Sequence, residues 1–268
     1  MAIKIVFSDI DGTFLNNAHQ VTAKTQQAVK SLITQNIKFV LVSARMPEAI
    51  YPITDKIGVK IPIISYSGAF VLTEGQEILH DVTIDTVSTK NVLEEIANKY
   101  PDVTVNYYAG RHWFVKDVED KRVIREMNIT SAVAENADFN ELINNNIAPN
   151  KILVMSEPPT CQKMELELGK TFKNLNVVRS SDILLEIMDK SVSKAVGIDV
   201  LIKHYGFGVE NAIGFGDNYN DVEMLEFVGC GVAMNNAPEG VKKFADDITD
   251  SNENDGIYNY LVKKNLIK

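Results

Sequence analysis

A chain of 268 residues with 45% hydrophobic and 24% charged side chains has the composition of a folded globular protein, long enough for one large domain or two moderate ones, and not that of a disordered chain. Its formal charge of −9 argues against a nucleic-acid partner, since binding a polyanion needs a surplus of Lys and Arg, but leaves room for a small phosphate held by a few converging cations. Two distant cysteines, Cys161 and Cys230, form no CxxC pair, which argues against a disulfide framework or structural zinc and for a reducing compartment.

The first apolar run is cut by Lys4 and ends at Asp9, too short for the core of a signal peptide. No window approaches the ~18 apolar residues of a membrane span, so the expectation is a soluble, cytoplasmic protein with no membrane partner. Residues 3–8 read as a buried strand, 22–35 as a helix capped by Thr22, 37–43 ("IKFVLVS") as a second buried strand, 47–56 as a helix and 61–65 as a third strand. Near-continuous apolar strands separated by helices predict a parallel sheet covered on both faces. "FVLTEGQEILH" then reads as a hairpin around Glu74-Gly75.

From about Thr83 the texture changes. A helix over 87–99 leads into two strands around Ala109-Gly110, followed by helical and strand-like pieces punctuated by Pro101, Pro149, Pro158 and Pro159. Hairpins mixed with helices predict a largely antiparallel α+β module. After Ser191 the alternation resumes: helix to His204, strand "NAIGFGD", helix to Phe227, strand "CGVAM", a helix, short strand "DDITD" and a terminal helix. The predicted fold class is therefore α/β, a Rossmann-like parallel-sheet core over residues 1–82 and 188–268 with an α+β cap domain inserted over 83–187.

Within this frame the acidic residues fall at strand ends. Asp9 and Asp11, in "FSDIDGTFL", project to the same side of the first strand's carboxyl end, where open α/β sheets bind ligands. By itself such a pair also suits a turn that ends a strand. "IGFGDNYNDVEML" places Asp217 and Asp221 four apart across a predicted helix start, where the spacing sets both carboxylates on one helix face. Helix capping accounts for one aspartate but not for an acidic quartet at two strand ends. Four such carboxylates repel unless a hard cation joins them, and magnesium, with few protein ligands and retained waters, suits them better than calcium. Ser43 in "VLVSAR" offers a hydroxyl at the same edge, and Lys194 in "KSVSKAVGI" a charge in the first turn of a helix. Arg111, His112 and Trp113, on the turn of a predicted hairpin, form a further anion-and-ring candidate, although hairpin turns often carry such residues on solvated faces.

The order Asp-x-Asp, Ser, Lys, Asp-x-x-x-Asp resembles that of the haloacid dehalogenase superfamily, specifically the Cof-like phosphatases with a large cap, over essentially the whole length. "DIDGT" looks like the first motif, Ser43 in "SAR" the second, Lys194 the third and "GDNYND" the fourth; "GVAMNNAPEGVKKFADDIT" and "NENDGI" are similar to the subfamily's tail. Two departures stand out: a usual Thr-Gly-Arg reads Ser43-Ala44-Arg45, and a common Asn-Gly-Ala reads Ser67-Gly68-Ala69. Ser43 keeps the hydroxyl, whereas Ser67 shortens a polar side chain near the expected pocket. The resemblance implies that Asp9 attacks phosphorus to form an aspartyl-phosphate and that Asp11 serves as acid, then base. It implies Mg2+ held by Asp9, the backbone carbonyl of Asp11 and Asp217, with Asp221 acting through a water or behind them. It further implies that Lys194, with the magnesium ion, holds the phosphoryl group in line with Asp9, and that the N–H groups of Ile10 and Ala44, with Ser43 and Asn220, hold the phosphoryl oxygens. The expected partner is a small phosphorylated metabolite, such as a sugar phosphate, bound by a monomer or weak homodimer whose inserted domain selects the leaving group. A phosphotransferase or mutase, or a silent sugar-phosphate sensor, are the rival readings. The presence of both Asp9 and Asp11 favours the hydrolase.

Overall fold

The computed structural model describes residues 2–268. They form two compact units: the first runs to Arg45 and resumes as Ile50–His80 and Ser193–Lys268, while the second comprises Met46–Ala49 and Asp81–Val192. The chain opens with β1 (Ile5–Asp9), α1 (Ala23–Thr34), β2 (Lys38–Val42), α2 (Pro47–Ile57), β3 (Ile63–Ser65), β4 (Phe70–Leu72) and β5 (Ile78–Asp81). Next come α3 (Thr86–Lys99), β6 (Thr104–Ala109), β7 (His112–Val115), α4 (Lys121–Thr130) and β8 (Glu135–Asn136). They are followed by α5 (Phe139–Asn144), β9 (Lys151–Met155), α6 (Pro158–Thr171), β10 (Leu175–Ser181) and β11 (Leu184–Asp189). The chain closes with α7 (Lys194–Tyr205), β12 (Ala212–Gly216), α8 (Val222–Phe227), β13 (Cys230–Ala233), α9 (Glu239–Lys242), β14 (Asp247–Ile248) and α10 (Gly256–Lys263).

The first unit is built on a sheet of order β14-β13-β12-β1-β2-β3-β4-β5. It is parallel from β14 to β3, and β4 turns back antiparallel on β3. All five residues of β1 are buried, because the strand lies at the centre of a sheet with helices on both faces. On one face Ile5 and Phe7 pack with Val40, Val42, Ile64, Ile198 and Leu201 of α7, and Met224 of α8. On the other, Phe215 of β12 meets Tyr260 of α10 edge-on at 5.4 Å, and Phe14 lies 5.5 Å from Phe39 of β2. The alternation of side chains then decides where the carboxylate goes. Asp9 continues the Ile5–Phe7 face, so it points toward α7.

The second unit has a six-stranded sheet of order β10-β11-β9-β6-β7-β8. Its pairs are antiparallel with one exception, the two-residue β8, which runs parallel to β7. The connection from β7 to β8 passes through α4, and a helical crossover returns the chain in its original direction. Ile152, Val154, Leu185 and Ile187 of this sheet pack on Ile96 of α3 and on Met164 and Leu168 of α6. Trp113 is buried in this unit, stacked 5.5 Å from Tyr108, with its Nε1 donating to Asn106 Oδ1 at 3.0 Å. Arg111 Nε donates to Glu48 Oε1 at 2.6 Å, and His112 Nδ1 lies 3.0 Å from Glu135 Oε1. The Arg111-His112-Trp113 cluster of the sequence is thus divided between a core ring, an arginine–glutamate ion pair and a histidine–glutamate contact, rather than assembled as one reader of anions and rings.

The turn between β4 and β5 carries Glu74, whose carboxylate accepts hydrogen bonds from Lys38 Nζ, at 2.6 Å, and from the Tyr205 hydroxyl. Burial alone would raise this carboxyl, but the two donors outweigh it and hold it at about 2, against an ordinary value of 4.5. A carboxyl depressed by folding contributes stability that is complete above its unfolded value and is lost as the pH falls toward its folded value. Glu74→Gln should therefore cost about 1 kcal/mol at neutral pH, discounted for the 38% exposure of the side chain. The gap in thermal midpoint from the wild type should close between about pH 5 and pH 2. A gap that does not vary with pH would assign the loss to packing.

Candidate active site

The strands β2, β1 and β12 lie side by side, with Asp9 opposite Val42 and Ser8 opposite Phe215, so the residues leaving their carboxyl ends share one edge. The chain order reverses between β1 and β12, which is the switch point where open α/β sheets form ligand clefts. Three of the four predicted aspartates are delivered there: carboxylate oxygens of Asp9, Asp217 and Asp221 lie within 4.8 Å of one another. Lys194, the first residue of α7 after its cap Ser193, sends Nζ to 2.5 Å from Asp9 Oδ1 and 2.5 Å from Asp221 Oδ1. Its side chain is 1% exposed, and those of Asp9 and Asp221 are 9% and 0% exposed, so these are buried ion pairs.

Asp217 and Asp221 reach the site by a different route from the helix face that their spacing predicts. Asp217 sits in the loop after β12, ahead of the short 3-10 turn Tyr219–Asp221, and the α-helix starts only at Val222. The two are joined because Asp221 Oδ2 accepts the backbone N–H groups of Asp217, at 2.9 Å, and Asn218, at 3.0 Å. Thr13 Oγ1 donates to Asp217 Oδ1 at 2.8 Å, and the amide of Asn236 reaches Asp217 Oδ2 at 3.4 Å. Gly12 makes this approach feasible, since its φ is +85° and a Cβ there would fall 2.4 Å from Asp217 Oδ2.

The fourth aspartate lies apart. Asp11 Oδ2 and Oδ1 accept from Arg45 Nε at 2.8 Å and Nη2 at 2.6 Å, a two-point pairing, and His19 Nδ1 lies 3.7 Å from Oδ1. The quartet is therefore a carboxylate triad plus one aspartate held by Arg45. Ser43 is 3% exposed; its N–H donates to the Ile64 carbonyl and its Oγ accepts the Arg45 N–H at 3.2 Å. Ala44 follows it in the chain. Ile10 is buried, and its carbonyl closes the turn by accepting the N–H groups of Phe14 and Leu15. Asn220 is exposed on the 3-10 turn. Thr13, Arg45 and Asn236 are parts of the site that the motif reading did not assign. All three stand inside the stretches quoted for the resemblance, "DIDGT", "SAR" and "GVAMNNAPEG", and that placement is the signal that could have found them.

The electrostatics follow from the burial. Burial would lower the Lys194 pKa, but Asp221 and Asp9 outweigh it and hold the ammonium charged. One cation does not balance three carboxylates. Burial, followed by the Asp221 charge, pushes Asp9 well above the usual carboxylate range against the pull of Lys194. Burial also raises Asp217 to about 6, helped by Asp221 and opposed by the Thr13 hydroxyl. An uncompensated group of hard oxygen donors within a few ångströms suits a small divalent cation that completes its shell with water.

The sequence profile of the haloacid dehalogenase-like hydrolases matches residues 6–261. A protein of Haemophilus influenzae, named provisionally as a phosphatase, is 35% identical over 98% of this chain and 99% of its own. The Bacillus subtilis 5-amino-6-(5-phospho-D-ribitylamino)uracil phosphatase YitU is 25% identical, over 96% of this chain and 96% of its own. The crystal structure of a haloacid dehalogenase-like hydrolase from Bacteroides thetaiotaomicron superposes with a TM-score of 0.88 at 28% identity, covering 98% of this chain and 99% of that one.

Replacing the buried ammonium tests how far the site depends on it. Lys194→Met leaves Asp9 and Asp221 buried against each other, and should destabilise the metal-free protein by about 3–5 kcal/mol. Adding Asp221→Asn should return part of that loss, read as the unfolding midpoint in chelator. Equal midpoints for the single and double variants would show that Lys194 acts by packing alone.

Proposed function

This chain belongs to the haloacid dehalogenase-like hydrolases, and from that premise we propose that it is a magnesium-dependent phosphatase of small phosphate monoesters, sugar phosphates or similar metabolites. The buried array of Asp9, Lys194 and Asp221, with Asp217 beside it at the switch point of the sheet, supports this reading most directly. The name of the Bacillus subtilis relative describes a phosphate ester of a ribityl chain, which supports a polyol phosphate as the substrate class. Among the described residues no helix is long and apolar enough to cross a membrane, and neither cysteine forms a disulfide, which fits a cytoplasmic enzyme.

Asp9 and Asp217, with the backbone carbonyl of Asp11, would hold the magnesium ion, and Asp221 would brace them from behind. When bound, the ion neutralises phosphoryl charge so that an anionic nucleophile can approach. Asp9 attacks phosphorus, the bond to the leaving oxygen breaks, and an aspartyl-phosphate forms. Asp11 gives a proton to that oxygen as it departs. It then takes a proton from the water that attacks the same phosphorus, which releases phosphate and restores Asp9. Lys194 offsets the negative charge gathered around Asp9 throughout. The N–H groups of Ile10 and Ala44, the Ser43 hydroxyl and Asn220 bind the phosphoryl oxygens. In this reading Asp11 exchanges its pairing with Arg45 for the leaving oxygen during turnover.

The two aspartates should fail differently. An alkyl alcohol leaves poorly without a proton, whereas an activated aryl oxide hardly needs one. Asp11→Asn should therefore slow a sugar phosphate by ~10²–10⁴-fold while slowing para-nitrophenyl phosphate far less, and Asp9→Asn should abolish both reactions. Single-turnover kinetics at saturating magnesium measures this. Equal slowing of both esters by Asp11→Asn would remove the acid/base role, and absence of magnesium-dependent phosphate release across a panel of monoesters would overturn the phosphatase reading itself.

A further inference from the structure

Asp217 leaves β12 in a loop, so no helix or strand sets the direction of its carboxylate. Neighbouring side chains must do so, and Thr13 supplies one donor, to Oδ1. The other oxygen faces the amide of Asn236, whose Nδ2 donates to the Gly12 carbonyl at 2.8 Å and reaches Asp217 Oδ2 at 3.4 Å. The amide is itself held in one orientation, because its Oδ1 accepts the backbone N–H of Asn252 at 3.2 Å. Asn252 is 6% exposed and anchored in turn: its Nδ2 donates to the Leu15 carbonyl at 2.9 Å and reaches Asn17 Oδ1 at 3.3 Å. Two asparagines thus link the segment after β1 to the loop after β12, ending on Asp217. An amide suits this place because it must donate and accept at once. A carboxylate could not donate, and an alanine could do neither.

We propose that Asn236, braced by Asn252, is a positioning residue that fixes the Asp217 carboxylate and the Gly12 turn in the geometry needed to receive a divalent cation. The proposal rests on the reading of Asp9 and Asp217 as metal ligands. Partners that orient metal ligands are typically worth ~10–100-fold in metal affinity.

Magnesium binding measured by calorimetry without substrate, together with the rise in unfolding midpoint on adding magnesium, tests it. Asn236→Ala should weaken magnesium binding about tenfold or more and shrink the magnesium-induced rise, while the midpoint in chelator stays near that of the wild type because the residue is exposed. The magnesium concentration for half-maximal phosphate release should rise by a similar factor, with a smaller loss of rate at saturating metal. Should Asn236→Ala lower the midpoint in chelator as well, Asn236→Ser, too short to span Gly12 and Asp217, is expected to show the same loss of magnesium affinity. Wild-type protein that binds no magnesium would overturn the metal reading and this proposal together. Wild type that binds, with both variants binding within twofold of it, would overturn the proposal alone.

Discussion

The Lys194 ammonium, buried between Asp9 and Asp221, is the constraint around which the first unit is arranged. A charged group taken out of water is tolerated only with good partners, and the lysine and its two partners come from three separate stretches of chain. Asp9 must leave β1 on the α7 side, α7 must begin within reach of it, and the loop after β12 must return Asp221 to the same point. Each requirement has a visible local cause. The start of α7 approaches closely because Gly68 and Gly197 lack side chains: a Cβ on Gly68, whose φ is +110°, would lie 2.0 Å from the Ser193 carbonyl. Any larger residue there would push the capped end of the helix, and Lys194 with it, away from Asp9.

The same turn links this constraint to β2. Tyr66 and Ser67 both adopt left-handed backbone angles, with φ of 48° and 54°, which cost energy for residues other than glycine and asparagine. In exchange, the Ser67 N–H donates to the Ser43 carbonyl at 2.9 Å and the Tyr66 N–H to the Arg45 carbonyl at 3.2 Å. The strained residues thus hold the end of β2 against the start of α7. Serine at position 67 therefore carries a backbone cost, because it occupies a conformation that asparagine adopts more readily.

Most of this frame was legible in the sequence because apolar runs and strand-end aspartates obey simple periodicities. β1, β2 and β12 are read directly from buried runs, the helix carrying Lys194 from the alternation that resumes after Ser191, and the largely antiparallel second sheet from its hairpins. Sequence spacing failed where a loop replaced a regular element. Asp217 and Asp221 have helical spacing, yet meet through backbone N–H groups captured by one carboxylate, and no periodicity encodes that capture. Trp113, just past a hairpin turn beside Arg111 and His112, has a local context suited to a surface, and its burial comes with partners across the hairpin, Tyr108 and Asn106. The relay through Asn236 and Asn252 joins residues more than 200 positions apart, from Gly12 to Asn236 and from Leu15 to Asn252, a distance at which single-sequence patterns are silent.

Arg45 completes the electrostatic logic from the other side. Four carboxylates converge on the ends of β1 and β12, and a single buried lysine leaves three of those charges unbalanced. Arg45, two residues beyond Ser43, takes Asp11 in a two-point pairing and holds it outside the triad, where its side chain is 44% exposed. Two cations therefore divide four aspartates into a buried group and an accessible one. Asp11 still adds to the field that raises Asp217, though behind burial and Asp221 in its effect. In the proposed mechanism this division separates two chemical demands that one cluster could not meet. A metal-binding group needs fixed, anionic oxygens with little access to protons, whereas a carboxylate that carries protons must reach both solvent and substrate. Placing Asp9 and Asp11 two residues apart at a strand end, with a different cation for each, gives both environments to one short turn.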